Sequence, residues 1–266
     1  MSTLQINGTK IAYDEVGQGE PLLLIHGIYC SRQQWGRQVD AFKNNYRVIA
    51  CDLRGHGQSA ASTGAYSIKL FADDLLALLD KLGLEKVICC GHSFGGLVAQ
   101  ELALSYPERV RGLILAETLY GLNSTPWEAA AAAMVNLWLP DLVGPQTYLQ
   151  LSAQFFGMYT PGGTSFIERE LQRHLADAHN QQNILRASLN FDSRWRLHRI
   201  DCPTLLLVGQ YPHIPLILWQ NWEMYWRIRQ AKLTFIPDAG HLLFWDNPTA
   251  FNEAVGDFIK IVTETR

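Results

Sequence analysis

The chain is poor in charge, and nothing in it commits the protein to a charged partner. Charged residues make up 18% of its 266 positions and the formal net charge is −3. It has no basic run, so composition supplies no attraction to nucleic acid or to an anionic membrane. No uninterrupted apolar stretch is long enough to span a bilayer. The opening Met1-Ser2-Thr3-Leu4-Gln5 has neither the charged nor the apolar region of a secretion signal. Cysteine is scarce and odd in number: Cys30, Cys51, Cys89, Cys90 and Cys202. Cys89 and Cys90 are adjacent, so on a strand they point to opposite faces, and no CxxC pair exists. A disulfide framework is thereby disfavoured, and reduced core thiols of a cytoplasmic protein are expected. There are no internal repeats, and the alanine run at 129–133 is simply good helix sequence. What remains is a chain large enough for one α/β domain carrying an insertion.

Apolar runs bounded by turn residues predict strands over 4–6, 10–13, 21–25, 47–51, 87–90, 110–116, 203–209 and 232–236. Between them lie helical patterns. Ser31 is placed to cap a helix over 32–42, and Ser67 one in which Leu70, Phe71, Leu75, Leu78, Leu79 and Leu82 recur at helical spacing before Gly83. Alternating strands and helices predict a mostly parallel sheet covered on both faces. The rhythm breaks at Thr118. From 118 to 200 the sequence is helical and rich in Ala, Leu, Trp and Phe, which predicts a helical cap inserted into a core of residues 1–117 and 201–266.

Gly91-His92-Ser93-Phe94-Gly95 stands where a buried strand gives way to a helix. A serine between glycines at such a turn is the nucleophile-elbow pattern. The turn strains the serine backbone and leaves no room for side chains two residues to either side, so glycine fits at both places. The helix that follows favours negative charge at its N-terminus.

Further motifs fall in order along the chain: His26-Gly27-Ile28 after the third strand, Asp52-Leu53-Arg54-Gly55-His56-Gly57-Gln58-Ser59 after the fourth, and Gly240-His241 after the last, with Asp246-Asn247-Pro248 beyond. In this set the chain resembles the capped serine hydrolases of the α/β-hydrolase superfamily. Its core segments are similar to enol-lactone hydrolases and small carboxylesterases. The resemblance implies an eight-stranded, mostly parallel α/β-hydrolase fold with Ser93 as nucleophile and His241 as its base. It implies oxyanion donors from the backbone N–H groups of Phe94 and Ile28. His26, Asp52, Arg54 and His56 are expected chiefly to brace loops. His26, Tyr29, Trp127, Trp138 and His213 form the group expected near substrate. His174, His179 and His198 lack metal-ligand spacing, and neither metal nor cofactor is expected.

The third triad member usually follows the seventh strand as an aspartate. Here the sequence reads Gly209-Gln210-Tyr211-Pro212-His213-Ile214-Pro215, with no carboxylate. Glu117, closing the sixth strand, is the best substitute. Asp192 stays open as a rival, and so does a Ser-His dyad without an acid, which is expected to be slower by about 10⁴. Asp201 lies at the wrong sheet edge, and Asp238 and Asp246 read as a turn residue and a helix-start residue.

The cap aromatics are expected mainly to pack cap helices, with a minority lining an apolar pocket over Ser93. Trp219, Trp222, Tyr225 and Trp226 form a helical stripe expected in the core or against the cap. The implied activity is cofactor-independent cleavage of a small or medium apolar carboxylic ester or lactone. A lyase, perhydrolase or acyl transferase on the same fold is the second reading. A ligand-binding protein with a degraded triad is the third. The expected partner is a small apolar molecule, with no nucleic acid and no membrane; a homodimer is compatible.

Overall fold

The computed structural model describes residues 1–134, 138–156, 163–175, 177–211 and 214–264. Strand β1 (Ser2–Ile6) turns into β2 (Thr9–Val16) across Asn7 and Gly8, at φ 45° and 75°. That is the two-residue hairpin geometry an Asn-Gly pair favours. β3 (Glu20–Ile25), β4 (Tyr46–Cys51), β5 (Val87–His92), β6 (Val110–Ala116), β7 (Thr204–Gly209) and β8 (Ala231–Ile236) complete an eight-stranded sheet. Its order is β1-β2-β4-β3-β5-β6-β7-β8. β2 is antiparallel to both neighbours, and every pairing from β4 to β8 is parallel.

Side-chain alternation along the central strands fills a core on each face. Leu23, Ile25, Ile49, Cys51 and Cys89 cluster with Leu75 and Leu78 of α2 (Ile68–Lys81) and Leu97 and Val98 of α3 (Phe94–Ser105). Leu22, Leu24, Val48, Ile88 and Cys90 cluster with Phe42 of α1 (Gly36–Phe42) and with Phe251, Val255 and Ile259 of α11 (Pro248–Glu264). Cys89 and Cys90 thus do face opposite ways, and all five cysteines are free. Burial pushes the Cys51 thiol up to about 12 and that of Cys202 to about 11, which keeps them inert.

The expected caps form: Ser31 accepts from the N–H of Gln33, and Ser67 from that of Leu70. Between β6 and β7 the chain leaves the sheet through α4 (Pro126–Ala133), α5 (Leu139–Val143), α6 (Pro145–Phe156), α7 (Gly163–Leu175) and α8 (Ala178–Leu189). The two ends of this excursion meet in an antiparallel bridge, Gly121 with Asp192. Its far helices rest on loops that follow strands. Asn180 of α8 donates to the carbonyl of Gly55 at 2.7 Å, and Asn183 to that of Gly64 at 3.1 Å. Phe166 of α7 meets Trp245 of α10 (Leu243–Asp246) at 4.4 Å between ring centroids. The excursion therefore touches the carboxyl-end edge of the sheet, where parallel sheets bind ligands. Among the described residues no helix is long and apolar enough to cross a membrane.

One packing expectation is corrected. α9 (Pro215–Arg227) joins β7 to β8, but Trp219, Trp222 and Trp226 point to solvent. The helix buries Ile217, Gln220, Asn221 and Met224 instead. Gln220 accepts from the N–H of Tyr120 at 2.8 Å and donates to the carbonyl of Gly121 at 3.0 Å. Asn221 donates to the carbonyl of Thr118 at 2.8 Å. The inward amides satisfy the backbone of the chain leaving β6, and that need outweighs hydrophobicity in choosing the face.

Candidate active site

Ser93 sits between β5 and α3 at φ 51°, ψ −116°. A non-glycine residue at positive φ of this kind is strained by about 1–3 kcal/mol and persists only when its surroundings fix it. Here the Ser93 N–H donates to the carbonyl of Ala116 at 2.9 Å, and its carbonyl accepts from Gly96 N–H at 2.9 Å and from the Thr118 hydroxyl at 2.6 Å. The flanking glycines are required by space. A Cβ on Gly91 would stand 2.3 Å from the Gly95 carbonyl oxygen, and one on Gly95 would stand 2.4 Å from that of Ile25.

The loop after β3 is drawn against this turn. A Cβ on Gly27 would lie 3.6 Å from Cβ of Ser93, so the backbone leading into Ile28 runs beside the serine. Ile28 is half-buried, and Tyr29 takes φ 56° to close the turn. Phe94 is buried and opens α3, so its N–H has no intrahelical partner by helix geometry.

His241 is buried in the loop after β8. Its Nδ1 lies 3.3 Å from Oε2 of Glu117, whose Oε1 accepts the Gly209 N–H at 2.6 Å. Glu117 itself stands at φ 46° just past β6. Gly209, the last residue of β7, has no room for a side chain: a Cβ would meet the carbonyl oxygen of Ala239 at 2.5 Å. That closeness brings the His241 loop over the ends of β6 and β7. The carbonyl of His241 accepts from Nε2 of His92 at 3.0 Å, with the two rings 4.8 Å apart. The histidine next to Ser93 thus holds the backbone of His241. Burial pulls the His92 imidazole well below its ordinary pKa.

The rival carboxylates are engaged elsewhere. Asp192 accepts the Arg194 N–H at 2.7 Å, at the start of a 3-10 helix over Arg194–Arg199. Asp246 accepts the Gly240 N–H at 2.8 Å, and Asp238 the Tyr211 hydroxyl at 3.2 Å. Asp52 binds the N–H groups of Arg32 and Gln58, and Arg54 grips both oxygens of Asp74. Among the described residues no group of three or more His, Cys, Asp and Glu is disposed to hold a metal.

One expected substrate residue is corrected. His26 is fully buried; its Nδ1 meets the Gly27 carbonyl at 2.8 Å and its Nε2 accepts the Leu53 N–H at 3.0 Å. Nδ1 is engaged within its own loop and Nε2 ties that loop to the one after β4, so neither nitrogen is left for substrate. Burial lowers its pKa more than nearby Asp52 raises it. Trp127 and Trp138 are exposed, and at the start of α4 it is Glu128 that turns inward, toward Gln220 at 3.3 Å. Tyr29 is half-buried, with its hydroxyl 3.4 Å from the Gln181 carbonyl of α8. His213 lies outside the described residues. Sequence reasoning missed the positioning contact of His92; its place inside the elbow motif was the available signal.

The sequence profile of the alpha/beta hydrolase fold matches residues 20–160. The chain is 29% identical over 269 residues to 3-oxoadipate enol-lactonase 2 of Acinetobacter baylyi, covering 97% of this chain and 96% of that protein. It is 30% identical over 250 residues to a putative carbamate hydrolase of Pseudomonas savastanoi pv. phaseolicola, covering 91% and 94%. A solved thermophilic esterase from Thermogutta terrifontis superposes with a TM-score of 0.81 at 27% identity, over 98% of this chain and 99% of that one. Sheet order, elbow geometry and profile agree, and the chain belongs to the alpha/beta hydrolase fold family.

Proposed function

We propose that the protein is a serine hydrolase that cleaves a small or medium apolar carboxylic ester or lactone through Ser93, His241 and Glu117, with no cofactor in the reaction. The observation that carries this reading is the Glu117–His241 pair, 3.3 Å apart, in a loop held by the residue preceding a strained serine. An alcohol is a weak nucleophile and needs an adjacent base. With its Nδ1–H directed at Glu117, the His241 imidazole presents Nε2 as the acceptor. Ser93 Oγ attacks the carbonyl carbon as its proton passes to that nitrogen. The N–H groups of Phe94 and Ile28 stabilise the oxyanion, each such donor being worth about 10²–10³ in rate. The tetrahedral intermediate collapses, and His241 returns the proton to the leaving alkoxide, which in a lactone stays tethered. Water, deprotonated by His241, then attacks the acyl-serine; the acyl–Oγ bond breaks, His241 returns the proton to Ser93 Oγ, and the acid is released. α7 and α8, resting on the loops after β4 and β8, are the parts of the cap suited to covering the acyl group. The enol-lactonase and esterase relatives support the substrate class. The ligand-binding reading arose from the missing acid after β7, and it loses weight beside the carboxylate at His241.

The test is covalent. A fluorophosphonate probe is expected to label Ser93, and Ser93→Ala to abolish both labelling and turnover of p-nitrophenyl esters and simple lactones. Labelling at another residue, or full turnover by the variant, would refute the proposal.

A further inference from the structure

The outward pole of α9 is made of tryptophan. Trp219, Trp222 and Trp226 are 65%, 43% and 77% exposed, at i, i+3 and i+7, so they form one line along the helix. The line has aromatic flanks on both sides. Phe235 of β8, 44% exposed, lies 6.4 Å from Trp222. On the other side Trp195 is 67% exposed, and the Arg227 guanidinium lies 5.0 Å from its ring centre. β8 is the terminal strand of the sheet.

A surface of this kind needs an occupant. At up to about 250 Å² per fully exposed indole, the exposed rings amount to about 700 Å². The largest patch on a typical monomer is about 300–600 Å², while each partner of a standard interface gives about 800 Å². The charge beside the rings is largely neutralised within the chain. Arg194 and Arg227 both bind Glu223 at 2.8 Å, and Arg196 binds Glu101 at 2.8 Å. Arg229 and Lys232 stand exposed at one end. An aromatic centre with an arginine rim is the composition of a protein interface. An anionic bilayer selects clusters of unpaired cations, which the centre of this patch does not offer.

The row is also nearly symmetric about its middle. When two copies of α9 cross antiparallel at Trp222, Trp219 comes against the partner's Trp226, three and four positions from the centre. That is the self-complementarity a two-fold contact requires. We propose that α9, flanked by Phe235 and Trp195, is the two-fold interface of a homodimer.

Sedimentation velocity on the full chain is the test, and its readout does not depend on the reaction proposed above. The expected mass is twice the 30.0 kDa of the chain. Trp226→Ala is expected to raise the dimer dissociation constant at least about 30-fold. The double variant Trp219→Asp/Trp226→Asp is expected to sediment as a single chain with turnover per chain unchanged. A wild type that stays at the mass of one chain at every micromolar concentration overturns the proposal, whether or not the variants fold. So does a dimer that survives the double substitution. A monomer that binds phosphatidylglycerol vesicles through the same tryptophans also overturns it, and assigns the patch to lipid.

Discussion

Glu117 divides its carboxylate between two tasks: Oε2 faces Nδ1 of His241 at 3.3 Å, and Oε1 accepts the Gly209 N–H at 2.6 Å. The second contact fixes the first, because it ties the glutamate to the end of the neighbouring strand. A carboxylate so held orients the imidazole and stabilises its protonated form. Glu117→Gln is expected to lower kcat on a p-nitrophenyl ester by about 10⁴, with the fold intact by circular dichroism. Asp192→Asn, whose side chain accepts the Arg194 N–H, is expected to stay within a few-fold of wild type. Equal losses in the two variants would remove Glu117 from the triad.

Gly95 is expected to tolerate no side chain. A Cβ there would stand 2.4 Å and 2.5 Å from the carbonyl oxygens of Ile25 and His26, both backbone atoms that cannot swing away. Gly95→Ala is expected to destabilise the protein by about 3 kcal/mol or more, at the upper end for overpacking. Urea unfolding followed by tryptophan fluorescence measures it. A midpoint like that of wild type would mean the elbow can open.

β4, β5, β6 and β7 were legible because each carries a continuous apolar run, 48–51, 87–90, 113–116 and 205–208, closed by a glycine or a carboxylate. Glu117 was legible for a related reason, since it ends the run Leu113-Ile114-Leu115-Ala116 and so had to lie at the edge where strands finish. The face of α9 was not legible. Its buried side is half polar because Gln220 and Asn221, beside Ile217 and Met224, serve backbone groups at 118–121, about a hundred residues away in sequence. The inward turn of Glu128, beside the exposed Trp127, follows from the same need, since it meets Gln220. His26 was expected chiefly to brace loops, and its bonds to the Gly27 carbonyl and the Leu53 N–H do so. Hydropathy reports which residues avoid water on average; it does not report which amide a distant carbonyl requires.

His92 is a positioning residue for His241. Its Nε2–H bond to the His241 carbonyl is buried, so losing the donor leaves that oxygen unsatisfied at a cost of about 1–3 kcal/mol. The loop is then free to shift, and small misplacements of a base cost up to about 10² in rate. His92→Phe is expected to lower kcat about 10- to 100-fold with KM little changed, and His92→Gln, which keeps a donor, to recover part of it. If both variants lose activity equally, the ring rather than its hydrogen bond is what matters.

Stability should fall on mild acidification through two buried histidines. Burial holds His26 below, and His92 well below, the ordinary value of 6.5. Above about pH 6.5 both are neutral in the folded and unfolded states, and their contribution is complete. Below it the unfolded chain takes up protons that the native state refuses, until the lower folded values are reached. The unfolding free energy therefore drops as pH falls, by up to about 1.4 kcal/mol per pH unit for each histidine. Urea midpoints taken from about pH 7 down to about pH 5 should show this slope. His92→Phe, though less stable at neutral pH, should lose one proton's share of the slope. A variant that keeps the full wild-type slope would show that His92 takes up its proton in the native fold, beside His241, and so contradict its neutral, donating role.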